Sequence, residues 1–151
     1  MAPGDLAVAL TDWVHSNLDY DGAGSDGRSS ALDTFAERRG VCRDYAHLTI
    51  ALLRALKLPA RMSAVFAPGC DPMDFHAVAE AWVDDAWHIV DATRLAPRES
   101  LIRIATGRDA ADTAFLTTRG GRMTFNRQVV TAALTEGTLP REDASVLVRL
   151  A

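Results

Sequence analysis

The sequence has only two cysteines and no long apolar run, and each shortage excludes a class of protein. Cys42 and Cys70 are too few for a disulfide scaffold, so we expect either one bridge or at least one reactive thiol. No run approaches the roughly 18 apolar residues that a membrane-spanning helix needs. The opening MAPGDLAVALTDWV lacks a basic region and contains Asp5 and Asp12, which makes it a poor signal peptide. These features predict a soluble, cytoplasmic protein.

Lysine is also nearly absent, because Lys57 is the single lysine among 16 basic residues. The net charge is −4, and no basic tract is typical of nucleic-acid or anionic-membrane binding. We therefore expect neither partner. The 151 residues, 48% of them hydrophobic, suit one globular domain with a buried core, and no internal repeat is visible.

Apolar spacing in the first part of the chain predicts three helices. They cover residues 6–18, about 30–38 and 42–56, and the last is the expected core helix. Ser30 or Asp33 can cap the second helix, Gly40 ends it, and Pro59 stops the third. Residues 19–30 read as a loop, and their acidic residues do not match calcium-loop spacing.

After Pro59 the apolar residues recur at every second position, which predicts strands. Residues 61–66, 75–83 and 86–91 are the expected strands, and the last two form a hairpin about Asp84-Asp85. A further hairpin is predicted at 114–118 and 123–133 about Gly120-Gly121, after an irregular stretch at 95–112 that wraps over the sheet. The predicted fold class is α+β, with a central helix packed on an antiparallel sheet.

Cys42 lies at the predicted N-terminus of the core helix. Unpaired N–H groups and the helix dipole favour an anion there, and the thiolate is the nucleophilic form of cysteine. The nearby arginines at 38, 39 and 43 add positive potential. The alternative for Cys42 is a small buried core residue. Cys70 falls in a loop, where it is either incidental or a redox partner of Cys42.

His76 and Asp91 lie on the two strands of the predicted hairpin. Successive side chains of a strand point to opposite faces of the sheet. With a two-residue turn at Asp84-Asp85, His76 and Asp91 therefore lie on one face as diagonal neighbours. A carboxylate can then hold one imidazole nitrogen while the other faces a thiol, which is the arrangement that activates a nucleophile. A slip of one residue would separate them onto opposite faces.

The remaining histidines fit other roles. His88 falls on the face opposite Asp91, His47 is expected to point away from Cys42 as a hydrogen-bonded core group, and His15 is expected to face solvent. No C-x-x-C or H-E-x-x-H spacing occurs, so we expect neither a metal nor another cofactor.

Four strings resemble the transglutaminase-like superfamily, in its microbial branch that includes proposed cysteine proteases. RRGVCRDYAHLTIALLRALKLPAR at 38–61 resembles the cysteine segment, and FHAVAEAWVDDAWHIVDATRLAPR at 75–98 resembles the histidine and aspartate segments. DWVHSNLDY at 12–20 resembles the lead-in helix, and LIRIATGRDAADTAFLTTRGG at 101–121 resembles the bacterial extension. The order Cys, His, Asp and the spacings of 34 and 15 residues also agree.

The resemblance implies a papain-like α+β fold in which Cys42 is the nucleophile, His76 the acid and base, and Asp91 the group that orients His76. It implies acyl transfer or hydrolysis on a protein, peptide or small amide substrate through a Cys42 thioester, as in a cysteine peptidase, amidase or transglutaminase. The backbone N–H of Cys42 is a candidate oxyanion donor, and Tyr20 is the best upstream candidate for a second. Trp82 and Trp87 are candidates for the substrate groove, with core packing as the alternative.

Two departures from the family pattern stand out. Val78 occupies a position where many members have Trp, and relatives tend to carry a β-rich domain before this one. Residues 1–151 are therefore expected to be a single catalytic domain, either naturally short or excised from a longer protein. Two other functions stay open: a non-catalytic interaction domain of the same fold, and a Cys42/Cys70 redox switch.

Overall fold

A four-stranded antiparallel sheet carries three helices on one face in residues 1–22 and 27–150, the part of the chain that this computed structural model describes. The helices are α1 (Pro3–Asn17), α2 (Ala31–Glu37) and α3 (Cys42–Ala55). The sheet has the order β5-β4-β3-β6 and consists of β3 (Ala60–Phe66), β4 (Phe75–Val83), β5 (Ala86–Val90) and β6 (Ile102–Gly107). Two short strands, β1 (Asp19–Tyr20) and β2 (Arg39–Gly40), pair in parallel beside α3.

Both faces of the sheet are buried, because side chains alternate between two apolar clusters. One cluster joins α1 and α3 to the sheet through residues such as Leu53, Met62 and Ala79. The other lies on the opposite face and includes Val65 and Val78. The central helix predicted from the apolar stripe of residues 42–56 is therefore confirmed, and its first residue lies at one edge of the core.

The hairpin between β4 and β5 has the predicted two-residue turn. Asp84 and Asp85 have φ angles of 48° and 60°, the left-handed pair that matches the twist of flanking strands. Val83 pairs with Ala86, and Ala79 with Val90, so the predicted register is confirmed. This register decides which residues of the two strands lie beside each other on the same face of the sheet.

The predicted start of α2 and its predicted extent to about residue 38 are confirmed, but the residue that ends the helix is Arg38 and not Gly40. The Ser30 side chain accepts from the backbone N–H of Asp33, and the Asp33 carboxylate accepts from the N–H of Ser30. The helix ends at Arg38, which takes the left-handed conformation with φ 58°. Gly40 lies close to Asp44, in the first turn of α3.

The second predicted hairpin is wrong, because the described residues after β6 form no extended strand. The chain does fold back about Gly120-Gly121, since the rings of Phe115 and Phe125 meet with centroids 5.8 Å apart. Side-chain packing, rather than backbone pairing, closes this loop. The irregular stretch predicted at 95–112 contains β6, which pairs with β3.

The C-terminal segment is tied to the sheet at two places. The buried Arg98 guanidinium binds the Glu142 carboxylate at 2.6 Å and donates to the carbonyl of Asp143 at 2.6 Å. Farther on, the carbonyl of Val148 accepts from the N–H of Ile89 at 2.8 Å. In the described part of the chain, none of the helices has the length and apolarity to cross a bilayer.

Candidate active site

Cys42 is the first residue of α3, as predicted. The residue before it, Val41, has no polar side chain that could cap the first N–H groups of the helix. The buried Asp44 carboxylate instead accepts from the Val41 N–H at 2.9 Å. The Cys42 N–H is one of the first N–H groups of the helix, which have no partner within the helix itself.

Gly40 allows this helix start to form. A Cβ added at Gly40 would lie 2.6 Å from the Cβ of Asp44 and 2.8 Å from its Oδ2. The absence of a side chain at Gly40 therefore lets Asp44 reach back to Val41. The flanking arginines contribute less positive potential than expected, because Arg43 pairs with Asp44 at 3.0 Å.

The parallel pairing of β1 with β2 places Tyr20 at the site. Tyr20 lies opposite Gly40, two residues before Cys42. Its hydroxyl is within hydrogen-bonding reach of both the backbone N–H and the thiol of Cys42. Burial, and then the negative charge of Cys42, raise the pKa of Tyr20 to about 12. Tyr20 thus keeps its proton at neutral pH and can donate a hydrogen bond.

His76 and Asp91 meet as the hairpin register predicted. His76 Nε2 lies 2.7 Å from Asp91 Oδ2, and both side chains are buried. The other ring nitrogen, Nδ1, is left for the Cys42 thiol, which is a hydrogen-bond partner of His76. The three predicted residues are therefore brought together in one chain of contacts.

The ionisation of His76 follows from these neighbours. Burial alone would lower its pKa, but the charge and hydrogen bond of Asp91, with the Cys42 thiol, outweigh it and raise the pKa to about 10. Burial likewise opposes the charged form of Asp91, but His76 and Thr93 outweigh it and lower the Asp91 pKa. At neutral pH the pair therefore holds an imidazolium beside a carboxylate.

Thr93 is a site residue that the sequence reasoning missed. Its backbone N–H and its hydroxyl each donate to Asp91 Oδ1 at 2.8 Å. The same hydroxyl oxygen lies 3.3 Å from His76 Nε2. Asp-x-Thr is a turn pattern in which the carboxylate binds its own backbone two residues on, and this signal could have identified Thr93.

Cys42 and His76 line one end of a cavity of about 890 Å³. Its walls come from the start of α3, from β3, β4 and β6, and from the segment after β6. Trp82 and Trp87, the predicted groove residues, are not among its lining residues. Trp82 lies six positions along β4 from His76, about 20 Å away, because a strand rises roughly 3.3 Å per residue. The two tryptophans pack on each other at 5.2 Å instead.

The other histidines have structural partners, and two of them differ from expectation. His47 lines the same cavity as Cys42 instead of pointing away, and its Nε2 accepts from the Ala110 N–H at 3.2 Å. Burial, followed by the charge of Arg43, lowers the pKa of His47. His15 is half-buried and donates to the Ala92 carbonyl at 2.9 Å.

Cys70 lies near the site, although the sequence marked it only as a loop residue. It is close enough that its pKa, raised mainly by burial, also responds to the charges of His76 and Cys42. Both cysteines are free thiols. Among residues 1–22 and 27–150, no group of three or more His, Cys, Asp or Glu side chains has the arrangement of a metal site.

The model of the transglutaminase-like superfamily matches residues 1–92. A proposed cysteine protease from Cytophaga hutchinsonii, known from its crystal structure, is 46% identical in sequence to this chain. The two structures superpose with a TM-score of 0.84 over 91% of this chain and 48% of that one. This match confirms the predicted papain-like, transglutaminase-like α+β fold.

Two other relatives are more distant. An uncharacterised protein of Mycobacterium leprae is 33% identical over 74% of this chain and 43% of its own length. Legionella pneumophila LapG is 17% identical, with a TM-score of 0.52 over 69% of this chain and 62% of that one, which shows a shared fold alone. The chain spans less than half the length of the Cytophaga and Mycobacterium relatives.

Proposed function

This chain belongs to the transglutaminase-like superfamily, and we propose that it transfers or hydrolyses the acyl group of an amide substrate through a thioester on Cys42. The observation that carries the proposal is the buried His76–Asp91 contact beside the half-buried Cys42, with Cys42 and His76 lining the same cavity. The likeness to a proposed cysteine protease supports the same class of reaction.

In the first half of the reaction, Cys42 Sγ attacks the carbonyl carbon of the substrate. The carbonyl oxygen becomes an oxyanion that accepts hydrogen bonds from the Cys42 N–H and the Tyr20 hydroxyl. The tetrahedral species collapses, the C–N bond breaks, and His76 gives its Nδ1 proton to the leaving nitrogen. A thioester and a free amine result, and His76 is left neutral.

In the second half, water or a second amine attacks the thioester carbonyl while His76 Nδ1 takes its proton. The C–S bond then breaks and the Cys42 thiolate returns beside the His76 imidazolium. Water gives a carboxylic acid, as in a peptidase or amidase, and an amine gives a new amide, as in a transglutaminase. The substrate is a protein, a peptide or a small amide.

Trapping of the thioester tests this proposal. The protein is mixed with a library of peptides and simple amides, quenched in acid and examined by intact mass and peptide mapping. We expect an acyl adduct on Cys42 that hydroxylamine removes, and none on Cys42→Ala. Cys70→Ala is the matched control and should form the adduct at the wild-type rate. An adduct that persists in Cys42→Ala, or none from any substrate, would contradict the proposal.

We also propose a cytoplasmic location, because a catalytic thiol with a second cysteine close by must be kept reduced. Cell fractionation with antibody detection tests this location. Recovery of the protein mainly outside the cell would contradict it.

A further inference from the structure

We propose that the cavity beside Cys42 binds a large apolar side chain, aromatic or branched aliphatic, that flanks the scissile bond of a peptide substrate. This inference rests on the proposed function and names the class of substrate. The cavity volume of about 890 Å³ falls at the upper end of the roughly 300–1,000 Å³ typical of ligand sites. The space therefore exceeds what a small acyl group requires.

The lining of the cavity is largely apolar. Phe66 and Phe75 lie on neighbouring strands with ring centroids 5.8 Å apart, and Phe115 stacks on Phe75 at 5.3 Å. Six alanines also line the cavity, and their short side chains leave the space open (Ala64, Ala77, Ala105, Ala110, Ala111, Ala114). An apolar group that enters this cavity exchanges water for carbon contacts, which stabilises the bound state.

A β-bulge turns one further apolar residue toward the cavity. On β6, Ala105 pairs with Ala64 and Arg103 pairs with Val65, so Ile104 has no partner on β3. Such an extra residue bends its strand and redirects its side chain, and bulges are frequent next to active sites. Ile104 lines the cavity, whereas Ile102, two residues before it, does not. The two isoleucines therefore form a matched pair for experiment.

The cavity wall also holds a polar residue, Gln128. Its Nε2 donates to Asp74 Oδ1 at 2.6 Å, which orients the amide. The choice of a peptide as the substrate rests on the proposed acyl-transfer chemistry, and the apolar lining names the side chain beside the scissile bond.

Two series of activated substrates test the inference. In the first, the 4-nitrophenyl esters of N-acetylglycine, N-acetylleucine and N-acetylphenylalanine differ only in the side chain of the acyl group. In the second, N-acetylglycine thioesters of ethanethiol and 2-phenylethanethiol differ only in the leaving group. The rate of Cys42 acylation is measured by intact mass and divided by the rate with a free thiol in solution.

In at least one series, we expect the probe with the larger apolar group to acylate Cys42 at least about tenfold faster than the probe with the smaller group. A hydrophobic pocket discriminates between large and small apolar groups by about that factor. The series that responds identifies the side of the bond on which the apolar group lies. Ile104→Ala should lower the preference severalfold, and Ala64→Leu should lower it by filling the cavity. Ile102→Ala and the exposed Ala51→Leu should leave it unchanged.

Acylation by the glycine ester with no size preference in either series would overturn the inference and leave the proposed function standing. A preference that Ile104→Ala and Ile102→Ala alter equally would also overturn it. Failure of every probe to acylate Cys42 would overturn both the inference and the proposed function.

Discussion

His76 Nε2 lies 2.7 Å from Asp91 Oδ2, and this contact joins the beginning of one strand to the end of its hairpin partner. The turn between the strands sets the register, so the contact depends on Asp84 and Asp85 as much as on the two residues themselves. Since both groups are buried, their charges interact with little screening by solvent. The ionisation of the site and the stability of the fold are therefore linked.

The His76–Asp91 pair should make stability decrease at alkaline pH. The pKa of His76 rises from 6.5 to about 10 on folding, so its contribution is fully present below pH 6.5 and is lost as pH rises through 10. We expect the free energy of unfolding in urea to fall on the order of a few kcal/mol over this range. Asp91→Asn lacks the negative charge that raises the His76 pKa, so its free energy of unfolding should fall less over the same pH range. Equal slopes for the two proteins would contradict the assignment.

Cys42 and Cys70 should differ in reactivity toward alkylating agents. In the proposed mechanism Cys42 reacts as the nucleophile beside the His76 imidazolium, whereas burial raises the pKa of Cys70. With iodoacetamide at pH 6, we expect Cys42 to be modified first, and faster than a model thiol. Peptide mapping over time checks the order. His76→Gln should slow Cys42, and it should slow Cys70 to a smaller extent, because the charge of His76 also lowers the Cys70 pKa. Preferential modification of Cys70 in the wild type would count against an activated Cys42.

Tyr20→Phe should slow acylation without unfolding the protein. In the proposed mechanism the Tyr20 hydroxyl donates to the developing oxyanion, and loss of one such donor costs about 10²–10³-fold in kcat. Tyr45→Phe is the matched control, because the Tyr45 hydroxyl donates to the Leu18 carbonyl at 2.8 Å, away from the thiol. That variant should lose about 1 kcal/mol of stability and keep its rate. Equal rates for both variants would remove Tyr20 from the oxyanion site.

Thr93→Val should disturb catalysis through Asp91 rather than through the fold. It removes the 2.8 Å hydroxyl bond to Asp91 Oδ1, one of the contacts that lower the Asp91 pKa. We expect the acid limb of the pH–rate profile to move to higher pH and kcat to fall more than KM changes. Thr93→Ser retains the hydroxyl and should restore the wild-type profile. A lower rate with an unshifted acid limb would indicate a purely structural role.

Gly40→Ala should weaken the start of α3. The added Cβ would lie 2.6 Å from the Asp44 Cβ, so the carboxylate that holds Val41 must shift. Forced packing of this kind costs about 1–3 kcal/mol, measured by urea unfolding. Gly22→Ala meets no atom within 4 Å and is the matched control. If both variants are equally stable, Gly40 is not required for close approach.

Local pattern was sufficient to predict the elements that carry the site. The apolar stripe after Cys42 predicted α3, and the change to a period of two predicted β4 and β5 with their register. The hairpin about Gly120-Gly121 failed because its flanks pack through Phe115 and Phe125 without strand pairing. Trp82 and Trp87 share a sheet face with His76 but do not line the cavity beside Cys42, because a shared face does not mean a shared end of that face.

The sequence by itself determined the helix start at Cys42, the hairpin that joins His76 to Asp91, and the family to which the chain belongs. These features depend on local spacing and turn geometry, which a sequence displays directly. Only the tertiary structure decided the approach of Tyr20 to Cys42, the support of Asp91 by Thr93 and the apolar cavity that Ile104 helps to line. Each of these depends on side-chain direction or on the meeting of distant segments, which spacing along the chain does not specify.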